Sequence, residues 1–593
     1  MPGLLGIAKS TGSTTTADFS AALNLLAYDE QYKYDLLFED HALIASRVHM
    51  NKIGEKDSPH DEGGIYCWIE GEAYNSNEVA KVHCLKAGSF PELLVESYSK
   101  GILERVLADI DGYYTAVVYD QHRALVMIIS DRYGLKPLYL WSEGRCFGWS
   151  SEMKAFLKFA HFTPVIRKDA LACFMDLGHM MGNMTWFNKV TLMEPSTILS
   201  YSLRDAAIIR SAKYWKWSCI KPQVCSFQHA TEDLGDLIES AVRRRIDDRS
   251  RFGISLSGGL DSRAILASLN DVSRVVTYTF GKPGCDDIET ARLVSSRVGV
   301  KHIVREITRE NWMVNRLFGI WKTDGMWNIY HMHDTAVSEA YTTSADINLS
   351  GFLGDALEGG LYLRGKAHEC RIDKKLAEKY FNGYAGYSDY ADDFFDIDHM
   401  DVYVFQNRSR RFTTMGLILD SKYMEHRLPF LDNRLIEFIY SLPDAYRVNS
   451  RLYNASLMRK FPEFYRDIPW QRTGYPITKR VNRHYLFLKK SFALLLRRLN
   501  LKAENRDYAD YWSWFKDGNV VPFFRKLLDP RTAIYSAYTS ENYVEKYLDP
   551  HVKSLRDHSE QLGLALSVEI WLQQVYNKRY MTNTRETEER IRS

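Results

Sequence analysis

The chain has no CxxC pair, and none of its eight cysteines (Cys67, Cys84, Cys146, Cys173, Cys219, Cys225, Cys285 and Cys370) has histidines at zinc-finger spacing. Neither a zinc ribbon nor a dithiol redox site is therefore expected. Cysteines scattered in this way read as reduced, buried thiols. No run approaches the ~20 apolar residues of a membrane span. The N-terminus lacks the basic stretch and apolar core of a secretion signal. Net charge is only +2, from 77 Lys+Arg against 75 Asp+Glu, so no electrostatic signature of nucleic acid or membrane is present. The expectation is a cytoplasmic protein with neither partner.

What is there is ordinary for a globular chain: 593 residues, 45% hydrophobic and 26% charged, enough for two or more cores. Aromatics reach 13% but are spread along the whole chain, which favours core packing over base stacking.

Two patterns divide the sequence. To about residue 210, short β-rich runs (Gly64–Ile69, Tyr113–Tyr119, Ala124–Ile129, Pro137–Trp141) alternate with turns and with helical stretches at Phe90–Ala108 and Lys168–Leu177. This reads as a layered α+β domain. The stretch Ser211–Phe227 reads as a connection. From residue 228 to 593 a helix over Thr231–Asp247 leads into strand Phe252–Leu256, helix Ser262–Leu269, strand Val275–Phe280, helix Ile288–Val298 and strand His302–Glu306. Such alternation predicts an α/β doubly wound parallel sheet, with ligands at the carboxyl ends of its strands. Beyond Asn407 the reading is mostly helical.

The chemistry concentrates in Ser257-Gly258-Gly259-Leu260-Asp261-Ser262, between the first strand of that sheet and its helix. Two glycines allow a tight turn that brings backbone N–H groups against an anion. Ser257 and Ser262 add hydroxyl donors, and the helix start adds its positive dipole end. Asp261 beside phosphates calls for a divalent cation. A serine-capped strand–helix turn could share the glycines, but six such residues in this context favour a nucleotide's pyrophosphate. With no Walker lysine, release of pyrophosphate fits better than γ-phosphate transfer.

These residues resemble the pyrophosphate loop of the asparagine synthetase family, and three later segments resemble that family in order. Tyr278-Thr279-Phe280-Gly281 with Asp287-Ile288-Glu289-Thr290-Ala291-Arg292 is similar to its adenine-side segment. Ser350-Gly351-Phe352-Leu353-Gly354-Asp355 is similar to its second glycine motif, and Glu425-His426-Arg427-Leu428-Pro429-Phe430-Leu431-Asp432 to its acceptor-side turn. The resemblance implies an ATP-pyrophosphatase domain using ATP and Mg²⁺. Asp261 and Asp355 would ligate the metal, and Ser257, Gly258, Gly259 and Ser262 would hold pyrophosphate. Leu256, Phe280, Ser350 and Gly351 would line the nucleotide, although Phe280 also reads as strand core and Asp355 as a turn residue. Glu425 would be the base, unless it is simply a buried partner of Arg427; His331 and His333 are weaker candidates to assist it. Arg472, in Trp470-Gln471-Arg472-Thr473, stands near the position of the family's lysine over developing negative charge.

The N-terminal part resembles class II glutamine amidotransferases, of Ntn-hydrolase-like fold, at Gly71–Asn75, Asp111–Tyr114, Asp131–Tyr139 and Ser151–Ala155. In active members a cysteine follows the initiator Met; here it is Pro2, which has neither a nucleophile nor a primary amine. The oxyanion-hole asparagine is replaced by Glu70, whose carboxylate would repel an oxyanion. The glutaminase is expected to be inactive. Family members with silenced glutaminase domains include β-lactam synthetases and lasso-peptide macrolactam cyclases, in which an amine of the same molecule attacks the adenylated acid. Phe352 stands where the first group carries a tyrosine. The resemblance thus implies an AMP-forming carboxylate–amine ligase, foremost a lasso-type macrolactam cyclase. Its substrate would be a peptide, and a precursor-processing protein would be its partner. Intermolecular amidation by ammonia or a small amine, as in polysaccharide modification, stays open, as does a catalytically silent scaffold. The basic stretch Lys479–Lys502 reads as a solvated helix face or a dock for an acidic peptide.

Overall fold

The computed structural model describes residues 2–9, 15–53, 58–335, 341, 343–354, 363, 399–479 and 506–581. The chain forms two compact units. The first holds Met1–Lys221, Lys322–Met326 and the described part of Arg371–Glu425; the second holds Pro222–Trp321, the described part of Trp327–Cys370, and His426 onward.

Alternating side chains build the first unit from two antiparallel sheets. One sheet is ordered Val190–Leu192, Tyr139–Glu143, Cys146–Ser150, Gly3–Ala8, Leu43–His49 and Lys33–Tyr34, with Phe38–Glu39 also pairing to Leu43–His49. The other runs Ala207–Lys213, Thr197–Ser202, Leu125–Ser130, Gly112–Asp120, Ile65–Ala73 and His60–Glu62. Along the second sheet Trp68, Val117, Tyr119 and Ile128 point one way, into a core shared with Leu4, Leu43, Phe147 and Trp149 of the first. Their neighbours Cys67, Ile69, Ala116, Val118 and Ile129 point the other way, onto helices Phe90–Ser99 and Leu103–Asp109. This period of two is what β-sheet geometry dictates. Helix Thr16–Leu23 packs on strand Leu43–His49, burying Phe19 and Ala22. The layered α+β expectation holds. The single helix expected over Phe90–Ala108 is instead two, because Gly101 takes φ +69° and turns the chain between them.

Residues 399–425 belong with the first unit through buried polar side chains. Gly182 N–H donates to Asn407 Oδ1 at 2.8 Å, Arg410 Nε donates to the Gly134 carbonyl at 2.7 Å, and Arg411 donates to the Met184 carbonyl at 2.5 Å. Several of these lie on a π-helical stretch, Phe405–Thr413.

The second unit is built on a five-stranded sheet ordered Lys301–Glu306, Val275–Gly281, Phe252–Ser255, Ile347–Leu349, Glu425–Arg427. Pairings among the first four are parallel, as the strand–helix alternation predicts. Gly253 is required in the middle strand, since a β-carbon there would stand 2.8 Å from the Tyr278 ring. Consecutive strands step to one side of Phe252–Ser255, and the next strand lies on its other side. That reversal is a topological switch point, which opens a crevice at the carboxyl ends. Outside the sheet the described chain is mostly helical, with Ser559–Asn577 near its end buried on all sides from Leu562 to Val575. No described helix is long and apolar enough to cross a membrane.

Candidate active site

At the switch point two glycine loops meet around one carboxylate. The first runs from strand Phe252–Ser255 into helix Asp261–Ala267. The second follows strand Ile347–Leu349. A β-carbon on Gly351 would lie 2.9 Å from the Ser262 nitrogen and 3.1 Å from Asp261 Cβ; one on Gly354 would lie 2.6 Å from Asp261 Cγ. Only glycine permits this approach. Asp261 is half-buried, and the Tyr453 hydroxyl donates to its Oδ1 at 2.6 Å. Asp355, the next residue after Gly354, lies outside the described residues. Among the described residues no three His, Cys, Asp or Glu side chains gather as a metal site.

The backbone amides of the first loop are less open than its sequence suggests. Gly258 N–H donates to Asp287 Oδ1 at 2.9 Å, Gly259 N–H to Ser257 Oγ at 3.1 Å, and Ser257 N–H to Ser262 Oγ at 3.3 Å. The two hydroxyl contacts can rotate away to admit a ligand; the Asp287 contact ties the loop to helix Asp286–Val298. Helix Asp261–Ala267 spans seven residues, so its macrodipole is weaker than a long helix would give. Ser257 and Gly259 are half-buried, whereas Ser262 is buried.

Other expected nucleotide residues fall at the same end of the sheet. Leu256 is buried, its N–H donating to the Tyr278 carbonyl at 2.8 Å. Phe280 is half-buried beside the end of its strand. Ser350 N–H donates to the Arg427 carbonyl at 3.0 Å and its Oγ accepts from Phe352 N–H at 3.2 Å. Phe352 is buried, and Leu353 adopts φ +70°, a backbone conformation uncommon outside glycine.

Sequence reasoning missed the residues that fix the first loop. Gln471 N–H donates to the Gly258 carbonyl at 3.1 Å, and its Nε2 reaches Asp287 Oδ2 at 2.5 Å. Arg472, next to it, is exposed and sets its guanidinium 5.5 Å from the Trp470 ring. Gln471, then, is what meets the loop in this segment. The Tyr465 hydroxyl donates to the Leu260 carbonyl at 2.8 Å, and Arg263 lies fully buried beneath the turn. No spacing rule could flag contacts spanning about two hundred residues.

Glu425 is not the partner of Arg427. Arg427 donates to Asp247 at 2.9 Å and to the Arg245 carbonyl at 3.0 Å. Glu425 is buried with the first unit, and burial pushes its carboxyl up to about 7, with Glu70 and Glu72 adding to the rise and Lys136 opposing it. His333 is bonded on both nitrogens, to the hydroxyls of Tyr511 at 2.8 Å and Tyr508 at 3.0 Å. His331 Nε2 stands 3.6 Å from Glu560. Residues 480–502 of the basic stretch lie outside the described residues.

In the first unit, Glu70 is buried on strand Ile65–Ala73 and forms an ion pair with Lys136 at 2.9 Å. The Lys136 ammonium also lies 5.1 Å from the centre of the Tyr113 ring. Pro2 is buried just ahead of strand Gly3–Ala8.

Two family profiles match the chain. Residues 4–215 match the profile of the glutamine amidotransferase domain. Residues 233–411 and 417–573, more than half the chain, match that of asparagine synthase. Putative asparagine synthetase [glutamine-hydrolyzing] 1 of Methanocaldococcus jannaschii is 24% identical over 410 residues, covering 68% of this chain and 69% of that protein. A second protein of that organism, putative asparagine synthetase [glutamine-hydrolyzing] 2, is 25% identical over 359 residues, covering 58% and 68%. The asparagine synthetase of Gallus gallus is 23% identical over 277 residues, covering 45% and 47%. The chain belongs to the asparagine synthase family of ATP-dependent amide-forming ligases, with a glutamine amidotransferase domain ahead of the synthase part.

Proposed function

We propose that this ligase adenylates a carboxylate and couples it to an amine that does not come from glutamine. The observation that carries the reading is the buried Glu70–Lys136 pair. An oxyanion hole needs donors aimed at developing negative charge. Here the position holds a carboxylate, and the neighbouring cation is already engaged by it. The finer reading is intramolecular: an amine of the activated molecule itself attacks, closing a macrolactam of the lasso-peptide type. Tethering both ends supplies the effective concentration that free ammonia lacks.

Asp261 and Asp355 are the residues that would hold Mg²⁺. A half-buried aspartate oriented by a tyrosine hydroxyl, at the meeting of two glycine loops, suits a hard cation with oxygen ligands. When bound, the ion would offset the charge of the departing pyrophosphate. The chain's own part is to grip that group with the hydroxyls of Ser257 and Ser262 and the amide of Gly259. Phe280 and Gly351 would flank the nucleotide. Glu425, titrating near neutrality, is the residue proposed to take the amine proton.

The relatives, named as asparagine synthetases, favour a second reading, amidation of a separate acid by ammonia or a small amine. One experiment separates the two. Full-length protein is incubated with ATP and candidate peptides, and products are read by mass. Loss of one water from a peptide, without added amine, supports cyclisation. Product only when ammonia is added supports the second reading. Glutamate released from glutamine would overturn the inactive-glutaminase claim.

A further inference from the structure

We infer that Arg263 is a positioning residue for pyrophosphate: a buried cation whose missing counter-charge is the ligand itself. The inference rests on the nucleotide reading of the Ser257–Ser262 loop. Arg263 follows Ser262 directly, and its side chain has no exposure to solvent. Its guanidinium donates only to backbone carbonyls. Nη1 reaches Phe464 at 3.2 Å and Ile468 at 3.4 Å, and Nη2 reaches Pro469 at 3.0 Å and Gly258 at 3.3 Å. The Tyr465 ring centre lies 5.4 Å away. Among the described residues no carboxylate pairs with it.

Buried charges ordinarily have a partner of opposite sign, because desolvation is costly without one. Carbonyl dipoles soften that cost but leave a full positive charge in place. One of those carbonyls belongs to Gly258, inside the loop. The charge therefore sits directly behind the turn whose front would face an anion, where little solvent screens it.

The same fork joins the loop to segment 464–469. Gln471 and Tyr465 continue that join to Gly258 and Leu260. Removing the guanidinium should therefore act on the phosphate end of the nucleotide and spare the adenosine end.

The test is calorimetric titration of full-length protein with Mg·pyrophosphate and, separately, AMP. In Arg263→Gln, which keeps hydrogen-bond donors but no charge, the ratio of pyrophosphate to AMP affinity should fall about tenfold. Arg263→Lys keeps the charge without the fork, and its ratio should fall by a smaller factor, about threefold. A ratio unchanged in a folded Gln variant, or affinities that fall together, overturns the inference. If the Gln variant shows no thermal transition, the Lys variant decides, and an unchanged ratio there overturns it. A wild-type protein that binds neither Mg·ATP nor Mg·pyrophosphate sinks the nucleotide reading itself, a result distinct from failure of the Arg263 claim alone.

Discussion

Gln471 and Asp287 are joined side chain to side chain at 2.5 Å, and the same aspartate accepts the Gly258 N–H at 2.9 Å. Three segments far apart in sequence are thus fastened at one point of the first glycine loop. The loop's shape is held from outside as well as by its own glycines, and this makes it sensitive to small changes.

Gly258→Ala places a methyl group 2.6 Å from Gln471 Cβ. The loop must shift by a fraction of an ångström to relieve the clash. Misplacing a reacting group by ~1 Å can cost about a hundredfold in rate. The expected result is a loss of that order in ATP-dependent product formation, with a melting temperature near wild type. Activity within a few-fold of wild type would show that the loop's position does not govern the reaction.

The Tyr453 hydroxyl orients Asp261. If Asp261 holds Mg²⁺, Tyr453→Phe should raise the Mg²⁺ concentration needed for half-maximal activity by roughly 10–100-fold, the usual cost of losing an outer-shell partner. Saturating Mg²⁺ should restore most of the rate. Asp261→Asn should not be rescued in this way. Identical Mg²⁺ curves for wild type and Tyr453→Phe would remove Asp261 from the metal's ligands.

Lys136→Met strands the Glu70 carboxylate in the interior of the first unit, where the paired side chains are 6% and 4% exposed. Breaking a buried pair on one side costs about 3–5 kcal/mol. The double change Glu70→Gln with Lys136→Met should recover much of that loss. Urea denaturation of the three proteins checks this, and a single variant as stable as wild type would contradict it.

Burial raises the Glu425 carboxyl from 4.5 to about 7. Between those values the folded chain holds a proton that the unfolded chain has released. Stability from this group is therefore full below pH 4.5 and is lost as pH rises through about 7. Glu425→Gln should flatten that part of the stability profile, read as the urea midpoint against pH. If Glu425 also takes the amine proton, activity should rise with pH through the same range, and the variant should lack that limb. Parallel stability profiles in both proteins would mean that Glu425 titrates normally.

Much of this architecture is legible in the sequence, for physical reasons that can be named. The helix expected at Lys168–Leu177 is found with those bounds, ended by Gly178 at φ +76°. The central strands were readable because a buried parallel strand is a short apolar run between turn signals. The meeting of both glycine motifs follows from chain order at a switch point. Less legible was where side chains go. Arg427 carries no local sign that it pairs with Asp247 and not Glu425, and Arg263 looks like any helix surface arginine until the chain at Phe464–Pro469 closes over it. Counting residues along a helix predicts neighbours three or four apart, whereas these partners are brought in by topology.

Asn407, Arg410 and Arg411 bond to residues of the amidotransferase part, and this bears on whether that part could be lost from the chain. A polypeptide severed after Lys221 would leave those side chains with their acceptors and donors gone, stranded in the other fragment. Deleting the amidotransferase part would therefore unpair buried polar side chains that lie far along the sequence. That part is thus a structural support for residues 399–425 as well as a domain of its own.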